Sequence, residues 1–506
     1  MSVFRAGTNF VCFAMVSLAA NYLFSADLKL ASPFTDHLVL QREIPVPVWG
    51  WAGPNAKVEV TFGQHTMSGV ADKDGEWKIT LPPLAGASKP AELKVRQGNH
   101  VLICKDVVVG EVWICSGQSN MQYSKKNKDF DEMSAAGIRT IEVRRTVAFQ
   151  EAKTFKGKWK KSAPSSAVAF SFAHHLKKQT EFPIGIVLTC WGSTSIEAWM
   201  PRDMVDDFPH FKLAVTEEEA DKEGRARMAA ALESGRWKQR DDIFMRRHSA
   251  IIYNAMMAPL VPFACRGIVW YQGERNARYI SGMPEKPWFH RVAGIREYDD
   301  VLKGWIRRYR RAWGRDDLQF LIVMLPGYGA KLATSPTKDF NHPTAHSWAW
   351  MRESQLTANV IPLVNVVNTI DLGSVKKIHP DDKAPVGMRL ALLAAKETLG
   401  IDLVSTGPLK ERMEIEGQGI VVHFENAVGL KTRDGKPPAS FWISNRSATE
   451  WFPAKSKIIG QSVRLTHESV RSPRHVRYAF GGKPRVNLIN GAGLPAYPFR
   501  TDDRDP

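Results

Sequence analysis

Between residues 107 and 399 the chain alternates short apolar runs with longer amphipathic stretches, and no other feature restricts its fold as strongly. The runs at 107–115, 186–190, 267–271, 319–325 and 363–370 are largely continuous in apolar residues, whereas a strand with one wet face would alternate. Helical patterns over 170–179, 299–313 and 384–399 are interspersed with them. Strands buried on both faces and separated by helices predict a parallel sheet covered on both sides, a doubly wound α/β domain over 106–405. A charged stretch at about 203–247, rich in Glu, Ala, Arg and Met, reads as a helical insertion on that domain.

At 506 residues the chain exceeds what one hydrophobic core supports, and its flanks follow a different grammar. From 27 to 105, segments such as Val46-Pro47-Val48-Trp49-Gly50-Trp51 are separated by Gly, Pro, Asn and Asp, which predicts a β-sandwich-like module. Short strand patterns at 419–424, 440–443, 462–465 and 475–480 predict a second β-rich module over 406–506. Residues 1–26 read as a signal peptide: Arg5 precedes an apolar stretch that ends in small residues, so a secreted or periplasmic location is expected. Asn9 and Asn21 interrupt that short stretch, and no stable membrane span is expected once it is cleaved.

Lys and Arg outnumber Asp and Glu by 69 to 52, but the surplus is scattered and reads as a solvated basic surface. With no zinc-finger spacing, ribonucleoprotein strand or basic zipper, no nucleic-acid partner is expected. Cys12 lies in the leader; Cys104, Cys115, Cys190 and Cys265 read as buried free thiols, and no Cys/His spacing suggests a metal.

The chemistry concentrates at strand ends. In Gly110-Glu111-Val112-Trp113-Ile114-Cys115-Ser116-Gly117-Gln118-Ser119-Asn120-Met121 an apolar strand breaks into a turn of small residues that presents a hydroxyl. In an open α/β sheet such a turn faces the crevice where ligands bind. A serine there needs a base and donors for a developing oxyanion before it is more than loop punctuation. His379, in Ile378-His379-Pro380 ahead of the last helical pattern, supplies the base; Trp191-Gly192-Ser193-Thr194 and Gln272-Gly273-Glu274-Arg275-Asn276 supply backbone and side-chain amides. Each turn alone is ordinary; together they hold the parts for acyl transfer.

These runs resemble the sialate O-acetylesterase family of SGNH (GDSL-like) hydrolases. The Gly110–Met121 run is similar to its nucleophile block, Trp270-Tyr271-Gln272-Gly273-Glu274-Arg275-Asn276-Ala277 to its Trp-Tyr-Gln-Gly-Glu-Ser-Asn-Ala block, and Ile378-His379-Pro380 with Gly387 and Arg389-Leu390 to its histidine block. Val39-Leu40-Gln41-Arg42 and Gly493-Leu494-Pro495-Ala496 extend the resemblance to both ends. It implies a flavodoxin-like SGNH hydrolase domain with Ser119 as nucleophile and His379 as general base. The oxyanion hole it implies comprises the Ser119 and Gly192 amides and the Asn276 side chain. Gln118, Gln272, Glu274 and Arg352 match family positions near the site and are expected to support it or position substrate. The implied partner is an O-acetylated carbohydrate, and no metal or organic cofactor is required.

The chain departs from the family pattern in three places. Lys376 and Lys377 stand before His379 where an acidic residue is usual, leaving Asp371, Asp381 or Asp382 to serve as third triad member. The two lysines are expected to disfavour the imidazolium. Ser193 replaces a second glycine, and Arg275 replaces a serine, either to bind the carboxylate or sulfate of an acidic sugar or to pair with Glu274. Two other readings stay open: an acetylxylan or other polysaccharide esterase, and a carbohydrate-binding protein that has lost efficient turnover.

Overall fold

The computed structural model describes residues 27–124, 130–235, 245–283, 290–329, 339, 341–343 and 347–506. The leader-like segment and residues 236–244 of the expected insertion lie outside them. Six parallel strands form the centre: β1 (His100–Gly117), β2 (Ile138–Glu142), β3 (Ile184–Cys190), β4 (Gly267–Tyr271), β5 (Gln319–Val323) and β6 (Val364–Val367), in the order β2-β3-β1-β4-β5-β6. Every residue of β3, β4 and β5 is buried, which explains why their sequences show no alternation.

Helices cover both faces. Trp113 and Ser116 point to opposite sides of β1 because side chains alternate along a strand. Trp113 meets Phe172 of α2 (Ala167–Lys177) at 5.4 Å. Trp270, in register with Ser116, meets Trp305 of the helix Tyr298–Trp313 at 4.5 Å on the other face. The Ser166 hydroxyl caps α2 by accepting from the Ala169 amide. The helix Ala384–Leu399 packs on α2, and a β-carbon at Gly387 would stand 2.5 Å from the Phe172 nitrogen, so only glycine allows that approach.

The flanking modules are not simply appended. The first half of β1 pairs antiparallel with Ala87–Gln97, which pairs with Lys57–Phe62 and that strand in turn with His65–Val70. One mixed sheet therefore spans the N-terminal module and the α/β core, and the boundary expected at 105/106 falls inside a single strand. The register shifts there as a bulge, with Asp106 at φ 54°. Bonds to Lys161, His37 and Arg139 outweigh its desolvation and hold the Asp106 carboxyl down at about 2. At the other end, two four-stranded antiparallel sheets form the C-terminal module. It docks through Tyr497, which donates to the Val366 carbonyl at 2.6 Å, and through Asn368, which donates to the Pro495 carbonyl at 2.9 Å.

The insertion contains helices Pro209–Ala220 and Lys222–Ser234. Cys104, Cys115, Cys190 and Cys265 are buried free thiols, as their apolar surroundings predict. Among the described residues no helix is long and apolar enough to cross a membrane, and no group of three His, Cys, Asp or Glu side chains is placed to hold a metal.

Candidate active site

Three strand ends meet at Ser119. Gly117 closes β1 with φ 134°, and a β-carbon on it would lie 2.2 Å from the Tyr271 carbonyl oxygen. That approach lets the Gln118 amide donate to Tyr271 O at 3.0 Å and Gly117 O accept from the Trp191 amide at 3.0 Å, joining the ends of β3 and β4 to the Ser119 turn. Ser119 then opens the one-turn helix α1 (Ser119–Gln122), half-buried. Gly192 lies against it: a β-carbon at Gly192 would be 3.2 Å from that of Ser119. Ser193 sits at φ 61°, the left-handed conformation that explains the family's glycine there.

The glutamines expected near the site form its floor. Gln272 donates to Gln118 Oε1 at 3.2 Å and to Asn276 Oδ1 at 2.7 Å, while its own Oε1 accepts from Tyr298 at 2.7 Å. Asn276, expected in the oxyanion hole, has its side chain engaged by its neighbours. Its Oδ1 accepts from the Ile196 amide, which fixes the carboxamide's orientation. Its Nδ2 is then directed at the Ala293 carbonyl at 2.9 Å and at the Glu197 carboxylate at 3.3 Å. Both hydrogens have acceptors in a fully buried pocket, so the Asn276 side chain braces the loop. Glu197 is kept charged against its desolvation by His210 and the Ala293 amide.

Asn120 ties this turn to the histidine loop. Its Nδ2 donates to Glu274 Oε1 and, at 3.1 Å, to the Ile378 carbonyl; its Oδ1 accepts from Lys383 Nζ at 2.6 Å. Tyr123, one turn after Ser119, stacks on the His379 ring with centroids 5.9 Å apart. The structure thus brings the Ser119 turn, the Gly192 turn and the His379 loop together.

The three acidic candidates are engaged elsewhere. Asp371 makes a bidentate pair with Arg389 at 2.7 and 2.8 Å and also accepts from Arg433. Asp381 pairs with Lys377 at 2.7 Å, and Asp382 accepts from the Gly373 amide at 3.1 Å through Oδ2, its buried Oδ1 having no hydrogen-bond partner among the described residues. Among the described residues none of the three hydrogen-bonds the His379 ring. The cation that bears on His379 is neither Lys376 nor Lys377 but buried Lys383, which sequence inspection passed over. Burial first, and then the Lys383 charge, hold the imidazole below its ordinary value. Burial also pushes the Lys383 ammonium down to about 8 and the Glu274 carboxyl up to about 7. A lysine four positions after the histidine, on the loop entering a helix, was the available signal.

Arg275 does not pair with Glu274, which turns to Asn120. Its guanidinium lies 5.4 Å from the Tyr279 ring, and burial with the charges of Arg247 and Arg278 lowers it to about 10. Arg352 is wholly buried and donates to the Gly481 and Gly482 carbonyls, so it anchors the C-terminal module.

An α/β crevice with a hydroxyl, an imidazole and backbone amides at converging strand ends defines the hydrolase class to which comparison with known proteins also leads. A family model described as carbohydrate esterase, sialic acid-specific acetylesterase, matches residues 109–396, more than half of the chain. The chain is 26% identical to the sialate O-acetylesterase of Pongo abelii, covering 94% of each chain, and 26% identical to that of Homo sapiens, covering 93% of this chain and 92% of the human one. Its fold is similar to the crystal structure of a carbohydrate acetylesterase from Xanthomonas citri, with 31% identity, a TM-score of 0.76, and coverage of 94% of this chain and 99% of that one. This is a carboxylic-ester hydrolase acting as a carbohydrate O-acetylesterase. The chain belongs to the sialic acid-specific acetylesterase family of carbohydrate esterases.

Proposed function

We propose that this enzyme removes O-acetyl groups from sugars through an acyl-enzyme on Ser119, with His379 as general base, on a flavodoxin-like SGNH hydrolase domain. One observation carries the mechanism: Asn120 and Tyr123 hold the His379 loop onto the turn that presents Ser119. The core order supports the fold reading, because without edge strand β2 the remaining five strands run 2-1-3-4-5. Ser119 Oγ attacks the acetyl carbon as its proton passes to His379. The Ser119 and Gly192 amides receive the oxyanion. Collapse of the tetrahedral intermediate breaks the ester C–O bond, and His379 returns the proton to the departing sugar oxygen. Water, deprotonated by His379, then attacks the acyl carbon, and the Ser119 Oγ–C bond breaks as His379 returns the proton to Oγ, releasing acetate. The Tyr123 ring and the Ile378 carbonyl's bond to Asn120 orient the imidazole where a carboxylate partner is usual.

His379 must be neutral to act as base. Since its folded-state value lies below 6.5, kcat/KM holds as pH falls to 6.5 and declines only as pH drops through that lowered value. Replacing Lys383 with Met removes one of the two causes, so the acid limb moves to higher pH; an unmoved limb in an active variant would assign the lowering to burial alone.

O-acetylated sialic acid is the proposed substrate, favoured over acetylxylan by the positive surroundings of Arg275, Arg247 and Arg278, which suit a sugar carboxylate. Acetate release should therefore be faster from an O-acetylated sialic acid than from acetylxylan at equal ester concentration, and the reverse order would reject the acidic-sugar reading. The leader-like segment supports export to the periplasm or beyond, with the mature chain beginning near residue 27.

A further inference from the structure

Gln122 ends helix α1, and its side chain folds back against the Gly192 turn. Its Oε1 accepts the Gly192 amide at 2.7 Å. A β-carbon built on Gly192 would stand 3.3 Å from that oxygen and 3.2 Å from the Ser119 β-carbon, so the Gln122 oxygen and the Ser119 side chain both lie against Gly192. A carboxamide oxygen and an ester carbonyl oxygen are alike in hybridisation and in the direction from which they accept a hydrogen bond. Another carboxamide of this region, that of Asn276, is locked by four partners, whereas Gln122 is half-buried and can release its head to water.

We propose that Gln122 is the resident occupant of the oxyanion site: its carboxamide caps the Gly192 amide in the substrate-free enzyme and withdraws when an acetyl group binds. This rests on the reading of Gly192 as an oxyanion donor. The cap keeps a buried N–H paired and correctly aimed before substrate arrives, as a buried donor requires. It also weakens apparent affinity, because only the uncapped fraction of the enzyme can bind ester. Gln122 is a positioning residue that competes with substrate, so its removal acts on KM in the direction opposite to loss of a binding contact.

Steady-state kinetics on p-nitrophenyl acetate test this with Gln122→Ala, Gln122→Glu and Ser119→Ala. Gln122→Ala should lower KM by about 3- to 10-fold, the worth of one ordinary hydrogen bond, without lowering kcat. Gln122→Glu should raise KM, since a carboxylate holds the amide through a stronger charge-assisted bond, and the inhibition should lift as pH falls through the carboxylate range. Gln122→Ala with unchanged or raised KM, or with lowered kcat, overturns the cap, as does a Glu variant that behaves like the Ala variant. The acyl-serine reading is judged separately: it stands while Ser119→Ala is inert, whatever the Gln122 variants do, and an active Ser119→Ala removes both.

Discussion

Ser119→Ala is expected to lower kcat for acetate release by about 10³- to 10⁶-fold, the range found when a serine nucleophile is deleted and only oxyanion donors and binding remain. His379→Ala should cost a similar factor, and the double variant little more than either single one, because nucleophile and base act as a unit. Stability should be nearly unchanged in Ser119→Ala. The residue is half-buried, and among the described residues its hydroxyl has no hydrogen-bond partner whose loss would strand a buried group. Acetate release at near wild-type rate from a folded Ser119→Ala protein would rule out the acyl-serine mechanism and point to direct attack by water.

What the sequence disclosed depended on how locally each feature is determined. Interior strands such as β3 and β4 carry their burial in their own residues, and so did the turns holding Ser119, Gly192 and His379. The edge strand Ile138–Glu142 did not: its Arg139 is buried only because it pairs with Asp106, 33 positions away, and the run reads as mixed until that partner is in place. The helix Ser347–Leu356 was likewise absent from the predicted elements, since most of its residues are buried and leave no clear polar face.

Side-chain commitments were the least legible feature of the site. Asn276 turns to Glu197, 79 positions away, Arg352 to Gly481, 129 positions away, and Asp371 is shared between Arg389 and Arg433. Motif resemblance placed these residues near the chemistry but could not say which way they face. Lys383 was missed for the same reason: a buried ammonium becomes visible only once Asn120 and Glu274 are seen around it.

Glu111→Ala should produce the opposite phenotype to Ser119→Ala, a loss of about 3–5 kcal/mol of stability with little change in activity per folded molecule. Glu111 belongs to the same motif but lies where the parallel half of β1 begins, wholly buried. Its carboxylate accepts from Arg42 Nε, from Arg266 Nε at 2.9 Å and Nη2 at 3.0 Å, and from Gln41 Nε2 at 3.3 Å. Gln41 and Arg42 belong to the N-terminal module, whereas Arg266 leads directly into β4, so one carboxylate fastens that module to the sheet beneath Ser119. Deleting it leaves two largely buried guanidinium groups with Glu43 as their remaining carboxylate, and Glu43 is itself half exposed. The cost of uncompensated buried charge then exceeds anything the smaller side chain relieves. Urea titration of both proteins measures the difference, with acetate release at low denaturant as the control. A shift below about 1 kcal/mol, the worth of a surface pair, would mean that Glu43 alone satisfies both arginines and that Glu111 is not the fastening.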